Sequence, residues 1–239
     1  MIPLKDDNPT RHFPLVTVVL IAINVAIYIV QFLLPEEAGR ELVERFGAIP
    51  ADILGTATGD PRGDRIRSAG VLTLFSSMFL HGSPLHLAGN MLYLWIFGNN
   101  IEDRLGRFRF PIFYLLAGLG AHAGHIATSM RSVVPTIGAS GAIAGVLGAY
   151  VLLYPKARVL VLLPLGFFSR TFWVPSVIVL GVWFLMQFLN GLPALGGADR
   201  GGVAWFAHIG GFVAGMILIW PFLAGTAQPA RARRRDWDD

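Results

Sequence analysis

The stretch IGASGAIAGVLGAYVLLY, residues 137–154, contains no charged side chain, and Ser140 is its only polar residue apart from two tyrosines. A helix rises 1.5 Å per residue, so a run of this length spans most of the roughly 30 Å hydrocarbon core of a bilayer. Similar apolar runs occur at residues 13–34, 85–101, 109–128, 172–190 and 204–223. The six runs predict an all-α polytopic membrane protein, built as a six-transmembrane-helix bundle.

The composition of the whole chain agrees with this class. Of its 239 residues, 54% are hydrophobic and only 14% are charged, whereas charged residues make up about a quarter of an ordinary soluble domain. The chain has no cysteine, which excludes disulfides, thiolate metal sites and cysteine nucleophiles. The first apolar run is longer than a signal-peptide core and lacks a small-x-small cleavage site, so we expect it to be retained.

Two connections between the runs are themselves rich in apolar residues. The first loop, residues 35–84, is too long for a bare connector and is expected to associate partly with the membrane surface. The stretch RVLVLLPLGFFSR, residues 158–170, is short and interrupted by Pro164 and Gly166, so we interpret it as an interfacial connection. A seventh span at this place is the less favoured alternative.

The basic residues predict the orientation of the six-span domain, residues 13–223, in the membrane. With the N-terminal segment 1–12 and the basic tail 224–239 in the cytoplasm, twelve of the nineteen lysines and arginines are cytoplasmic, as the positive-inside rule requires. These twelve are Lys5, Arg11, Arg104, Arg107, Arg109, Lys156, Arg158, Arg170, Arg231, Arg233, Arg234 and Arg235. This topology explains the net charge of +4, so no nucleic-acid partner is inferred.

Polar residues lie at a similar depth in three of the predicted spans. In this orientation the second, fourth and sixth spans all run from the outer to the inner face. His86 and Asn90 begin the second span. Ser140 lies about four residues into the fourth span and His208 about five into the sixth, so all four lie within roughly 10 Å of the outer helix ends. Because polar groups inside spans are costly, the four predict one functional site.

Small residues indicate how these helices meet. On the sixth span, Gly211 and Gly215 follow His208 at i+3 and i+7 and share its helical face. On the fourth span, small residues repeat every four positions from Ser140 to Gly148. Such faces let membrane helices approach backbone to backbone. This approach is expected to bring Ser140 and His208 within hydrogen-bond reach.

The residue types at this depth fit nucleophilic catalysis. A serine is a weak nucleophile until a base takes its proton, and histidine suits that role near neutral pH. We therefore predict Ser140 as nucleophile and His208 as general base. The attacked carbonyl becomes an oxyanion that needs hydrogen-bond donors. The candidate donors are the backbone N–H of Ser140, unpaired in the first helical turn, and the side chains of His86 and Asn90.

Four motifs resemble the rhomboid family of intramembrane serine proteases. GASG (138–141) and AHIGGFVAG (207–215) contain the nucleophile and the base, and HLAGN (86–90) matches the family's His-x-x-x-Asn. GNNIEDRLG (98–106) looks like its Gly-x-x-x-Glu-x-x-x-Gly motif, with Glu102 as a structural polar group. The motifs fall on the second, fourth and sixth spans, as in the family's basic six-span form.

The resemblance implies a serine endopeptidase whose Ser-His dyad hydrolyses peptide bonds in or near transmembrane segments of membrane-protein substrates. It implies no metal, no nucleotide and no other cofactor, and membrane lipid as the surrounding medium. The compact six-span form implies a bacterial plasma (inner) membrane, with both termini cytoplasmic and the active site near the outer face. The oligomeric state is left undefined. The glycines expected to support close packing around the dyad are Gly138, Gly141, Gly211 and Gly215.

Two departures from the family pattern stand out. Some relatives carry a tyrosine one turn after the nucleophile, packed on the base, where this chain has Ala144. His208 must therefore be oriented by another group. The Trp-Arg pair that some relatives have in the first loop is also absent.

A gate for the substrate is expected beside the site. The glycine-rich loop at residues 190–202, which includes Gly196 and Gly197, lies directly outside His208 and is expected to cap the active site and to move for substrate. The fifth span is expected to act as a lateral gate, and its candidate gate residues are Phe172, Trp173 and Phe184.

Other interpretations of the polar residues stay open. A non-catalytic rhomboid-like membrane binder or a small polytopic transporter would use the same cluster to hold a client helix or water; inactive relatives typically lack the serine or the histidine, and this chain has both. His122 and His125 are spaced i, i+3, which a metal site can use, although polar packing is favoured. Gln187 is interpreted as a helix-end or interhelical hydrogen bonder.

Overall fold

The computed structural model describes residues 1–56, 70–165, 168–195 and 203–225. The strands are β1 (Ile2–Asp6), β2 (Arg158–Leu165) and β3 (Phe168–Pro175). The helices are α1 (Leu15–Leu33), α2 (Glu36–Phe46), α3 (Pro50–Ile53), α4 (Gly70–Ser76), α5 (Pro84–Tyr93), α6 (Asn99–Leu105), α7 (Arg109–Thr128), α8 (Ser140–Leu153), α9 (Ser176–Leu195) and α10 (Trp205–Leu223). Gly196, Gly197 and the tail from residue 226 onward lie outside the described residues.

The expected helical membrane architecture is confirmed. Within the described residues, four helices are long and apolar enough to cross a bilayer: α1, α7, α9 over Ser176–Pro193, and α10. Helices α5 and α6 are joined without a break by a wide π-helical turn, Leu94–Gly98, so the second apolar run is helical from residue 84 to 105. The first loop contributes α2, α3, α4 and a short 3-10 turn, Ser77–Phe79.

Helix α8 is the buried centre of the bundle. Its 14 residues cover only about 21 Å, and the chain enters it through an extended segment in which Thr136 forms an antiparallel bridge with Ala48. All positions from Gly141 to Tyr150 are buried, as expected for a helix that is apolar on every side. The short helix therefore begins inside the bundle.

Glycines bring α8 and α10 into backbone contact. A Cβ at Gly211 would meet the carbonyl oxygen of Gly141, and one at Gly215 would meet that of Gly145. A Cβ at Gly141 would lie 2.5 Å from the Cβ of Ala121 on α7. Since Ala121 precedes the end of α7 by seven residues and Gly211 follows the start of α10 by six, this level lies roughly 10 Å inside both helix ends.

The stretch at 158–170 is a connection made of β-strands and not a seventh helical span. Strands β2 and β3 form an antiparallel hairpin, to which β1 adds a third strand. Strand pairing satisfies the backbone groups of this apolar segment, which a helix broken by Pro164 would leave open. As a result, the helix of the fifth predicted span, α9, begins at Ser176, and Phe172 and Trp173 lie on β3.

Two charged side chains fix helix ends on the face that carries the sheet. Both oxygens of the Glu102 carboxylate accept from the start of α1, from the backbone N–H of Val16 at 2.9 Å and of Thr17 at 2.7 Å. Arg109 Nη1 donates to the carbonyl oxygens of Phe222 and Ala224, at 2.9 and 3.0 Å, at the end of α10. Charges of these signs complement the helix dipoles.

Candidate active site

Ser140 occupies the first position of α8, directly after a turn that only glycine adopts easily. Gly138 has φ of +128°, a conformation that L side chains rarely adopt. The first hydrogen bond of the helix runs from Ile143 N–H to the carbonyl oxygen of Ala139, at 3.0 Å. The N–H of Ser140 belongs to the first turn, whose donors have no partner inside the helix.

The structure brings Ser140 and His208 together. Ser140 Oγ lies 2.8 Å from His208 Nε2, and the glycine contact between α8 and α10 one turn deeper allows this distance. Both side chains are partly exposed. A neutral imidazole nitrogen at this distance can accept the hydroxyl proton.

The other ring nitrogen of His208 has a partner on α9. His208 Nδ1 lies 2.7 Å from Gln187 Oε1. An amide oxygen only accepts hydrogen bonds, so this contact places the proton on Nδ1 and leaves Nε2 free to accept from Ser140. The rings of Trp183 and Trp205 lie beside His208, with centroids 5.9 and 6.2 Å from its own. These three side chains hold His208 in place, which the small side chain of Ala144 cannot do.

The partner of Gln187 was not predicted from the sequence. Gln187 was interpreted only as a helix-end or interhelical hydrogen bonder, because no motif marks position 187. A signal does exist, since it is the only amide or charged side chain between residues 177 and 189 of an apolar run. Its 6% exposure agrees with the rule that a polar group within a span needs a partner.

His86 lies close to Ser140 because residue 138 is a glycine. A Cβ at Gly138 would lie 2.9 Å from His86 Nε2 and 3.6 Å from Ser140 Oγ, so a larger residue would push the imidazole away from the serine. The N–H of Gly82 points at His86 Nδ1 over a long 3.5 Å. With Nδ1 as acceptor, His86 Nε2 carries the proton and can donate to a group bound beside Ser140.

Asn90 has a hydrogen-bond partner that was not predicted, and its role at the oxyanion stays a prediction. It lies one turn after His86 on α5, but its amide Nδ2 donates to His81 Nε2 at 3.0 Å. The backbone of His81 is held by Gln31, whose Oε1 accepts from His81 N–H at 3.0 Å. The His81 and His86 rings meet edge to face with centroids 5.1 Å apart. Asn90 thus holds the cluster of His81 and His86 beside Gly138.

His122 supports the turn before Ser140. Its Nε2 lies 3.1 Å from Ser77 Oγ, and the carbonyl oxygen of Ser77 accepts from the N–H of Gly138 at 2.9 Å. Across the residues that the structure describes, no group of three or more His, Asp or Glu side chains is arranged to hold a metal ion. The contact with Ser77 is polar packing of the kind that was favoured for His122.

The candidate gate residues separate into two groups. Phe184 on α9 stacks on Phe212 of α10, with ring centroids 4.8 Å apart. Phe172 and Trp173 lie on the strand that leads into α9, where Ser176 Oγ donates to the carbonyl oxygen of Tyr154 just past the end of α8. They are thus roughly 20 Å from Ser140 along α8. The structure thus places Phe172 and Trp173 outside the fifth membrane helix, because residues 172–175 are strand, and their role as gate residues stays a prediction.

The fold and the site define a multi-pass helical membrane protein with a serine–histidine pair inside its bundle. A family model of the Rhomboid domain matches residues 68–225. The chain belongs to the rhomboid family.

Several relatives in the family are similar to this chain. It is 30% identical over 168 residues to Rhomboid protein 1, mitochondrial, of Saccharomyces cerevisiae, covering 68% of this chain and 45% of the relative. It is 34% identical over 148 residues to Rhomboid protease GluP of Bacillus subtilis, covering 62% and 26%. It is 33% identical over 142 residues to the human Presenilin-associated rhomboid-like protein, mitochondrial, covering 56% and 36%. The chain thus spans less than half the length of each of these relatives.

Proposed function

We propose that this chain is an intramembrane serine endopeptidase, with Ser140 as nucleophile and His208 as general base. The observation that carries the proposal is the 2.8 Å contact between Ser140 Oγ and His208 Nε2, formed by two helices whose packing leaves no room for a side chain larger than glycine at positions 211 and 215. The name of the Bacillus subtilis relative, a rhomboid protease, supports the same activity.

Acylation begins when Ser140 Oγ bonds to the carbonyl carbon of the scissile peptide while His208 Nε2 takes the hydroxyl proton. The carbonyl electron pair moves onto the oxygen. Gln187 Oε1 accepts from the Nδ1–H of His208 throughout, so the imidazolium that forms keeps a hydrogen-bond acceptor. When the intermediate collapses, the carbon–nitrogen bond breaks and His208 returns the proton to the leaving amine.

Two donors are available for the negative oxygen of the intermediate. They are the Ser140 N–H, at the positive end of α8, and His86 Nε2 on α5, which the glycine at position 138 admits close to Ser140. Asn90 contributes through the histidine cluster, since its amide donates to His81. Donors aimed at a developing charge are among the largest contributions to acyl transfer.

Deacylation uses the same groups with water in place of the amine. His208 takes a proton from a water molecule, the oxygen of that water bonds to the acyl carbon, and Ser140 Oγ leaves with the proton. The partial exposure of Ser140, His208 and His86 gives water a route to the dyad. None of these steps uses a metal or a nucleotide.

The substrates we propose are membrane proteins cut in or near a transmembrane segment. The dyad lies roughly 5 Å inside the end of α10, since His208 follows Trp205 by three residues. This is the end of the bundle opposite the β-sheet, where a segment from the bilayer meets water. A bacterial plasma membrane, with the sheet on the cytoplasmic side and the dyad towards the outer face, fits the distribution of basic residues.

A fluorophosphonate probe tests the proposal directly. Purified wild-type protein is expected to be labelled at Ser140, whereas Ser140→Ala and His208→Ala are expected to lose the label and to stop cleaving a reporter transmembrane substrate. Ser169→Ala is the matched control, because Ser169 is an exposed serine on β3 and its loss leaves the dyad intact. Equal labelling of wild type and Ser140→Ala contradicts the assignment of Ser140, and a wild type that is neither labelled nor active favours a non-catalytic membrane binder.

A further inference from the structure

We infer that Gln187 is the positioning residue of the dyad. The orientation and tautomer of His208 then depend on the position of α9 against α10. Its side-chain oxygen lies 2.7 Å from His208 Nδ1 and selects the tautomer whose Nε2 accepts the proton of Ser140. Because Gln187 belongs to α9, the histidine is held in this form only while α9 lies against α10. This inference rests on the proposed function.

A neutral acceptor suits this position better than a carboxylate. Gln187 is only 6% exposed and lies within an apolar run where a lone charge is costly. The amide has the lone pairs that His208 Nδ1–H needs, without carrying a charge into the bundle. The amide nitrogen of Gln187 is also held, because Nε2 donates to the carbonyl oxygen of Trp183 at 3.3 Å. The oxygen is thereby turned towards His208.

Helix α9 is bound to the bundle differently from α8 and α10. It meets α10 through aromatic rings, Phe184 and Trp183 against Phe212, with centroids 4.8 and 6.2 Å apart. The buried Gly191 of α9 packs on the side chains of Trp205 and Phe206, where a Cβ would lie 3.2 Å from each, whereas the glycines between α8 and α10 meet backbone atoms. Side chains on the outer face of α9 are exposed, including Val177, Ile178, Leu185, Met186 and Leu189.

These differences make α9 the helix that separates from the bundle most readily. Ring contacts can slide and re-form, whereas the glycine contacts of α8 and α10 tolerate little displacement. A substrate segment that enters between α9 and α10 would draw Gln187 away from His208. The histidine then loses its acceptor until α9 closes, so hydrolysis follows closure around the substrate.

Two variants separate a positioning role from a merely structural one. Gln187→Met keeps the size of the side chain and removes the acceptor, so we expect kcat to fall roughly 10- to 100-fold with little change in KM. Gln187→Glu keeps an acceptor oxygen and is expected to recover much of this loss. Leu185→Met, on the exposed face of the same helix, is the matched control and is expected to behave as wild type.

The tautomer of His208 supplies a readout that does not depend on turnover. In protein labelled with ¹⁵N-histidine, the His208 signals, assigned by their loss in His208→Ala, are expected to show the Nδ1–H form in wild type and a mixture of both tautomers in Gln187→Met. An unchanged tautomer together with unchanged kcat in a folded Gln187→Met protein overturns the inference. If wild type neither labels nor cleaves, the proposed function fails, while the tautomer shift still tests the hydrogen bond.

Discussion

Thr17 donates both its backbone N–H and its hydroxyl to the carboxylate of Glu102, each at 2.7 Å, in the buried interior. The two residues are 85 positions apart in the chain, and their contact fastens the start of α1 to α6. Glu102 was predicted from its motif as a structural polar group. Its geometry adds a specific task, because the carboxylate takes up donors at the N-terminus of α1 that no helical carbonyl can reach.

We expect Glu102→Ala to lower the thermal unfolding midpoint in detergent strongly, with a loss of about 2 to 4 kcal/mol, since it leaves buried donors of α1 without an acceptor. Glu102→Gln keeps one acceptor oxygen and is expected to lose less. Glu36→Gln is the control, because the pair of Glu36 with Arg40 is exposed and contributes little. A midpoint for Glu102→Ala equal to that of wild type contradicts this role.

A methyl group between α8 and α10 is expected to damage both stability and activity. Gly211→Ala places its Cβ against the carbonyl oxygen of Gly141, so the helices must move apart at the level of the dyad. Overpacking of this kind costs roughly 1 to 3 kcal/mol, and the longer Ser140–His208 distance should reduce cleavage at least tenfold.

The matched control for this variant is Gly181→Ala, where the new methyl group meets open space. Thermal unfolding and the rate of substrate cleavage are measured for both proteins. If Gly211→Ala cleaves as fast as Gly181→Ala, the close approach of the two helices is not what sets the dyad geometry.

The carboxyl group of Asp6 is expected to make stability depend on pH. Burial raises the pKa of Asp6 from 3.8 to about 6, despite the hydrogen bonds that it accepts from Tyr150 and Asn100. The folded state therefore binds the proton more tightly than the unfolded chain, and this stabilisation is complete below about pH 4 and lost as the pH rises through 6. The difference corresponds to at most about 3 kcal/mol.

Asp6→Asn removes this titration and isolates the effect. The unfolding midpoint of wild type minus that of Asp6→Asn, measured from pH 4 to pH 8, is expected to fall with rising pH and to level off above about pH 7. A difference that is constant across this range, or that rises, would show that ionised Asp6 is not disfavoured by its burial.

Features that depend on residues close together in the sequence could be predicted, whereas contacts between distant residues could not. The dyad followed from patterns local to single helices, because His208 and Gly211 share one face of α10 and Ser140 begins α8. Long-range partners gave no such pattern. β1 pairs with β2 across more than 150 residues, as in Ile2 opposite Leu162, and the short apolar run of β2 does not distinguish strand from helix by composition alone.

The contacts around the site show the same difference between local patterns and long-range partners. Gly138 was predicted as a packing residue, but its positive φ and its place beside His86 depend on how the first loop folds back on α8. Asn90 was predicted beside the oxyanion because it shares a helical face with His86. Its amide donates instead to His81, whose position in the loop no helical periodicity describes.

The lateral gate can be tested by locking α9 to α10, and the absence of native cysteines gives a clean background. In a protein with Phe184→Cys and Phe212→Cys, whose native rings are 4.8 Å apart, a short bis-methanethiosulfonate joins the two helices through a disulfide at each cysteine. We expect cleavage of a transmembrane substrate to fall at least tenfold when the link is formed and to recover on reduction.

A small fluorophosphonate should still label Ser140, because the lock keeps Gln187 beside His208. Each single-cysteine variant treated with the same reagent is the control. Undiminished cleavage in the locked protein would show that substrate reaches Ser140 without separation of α9 from α10.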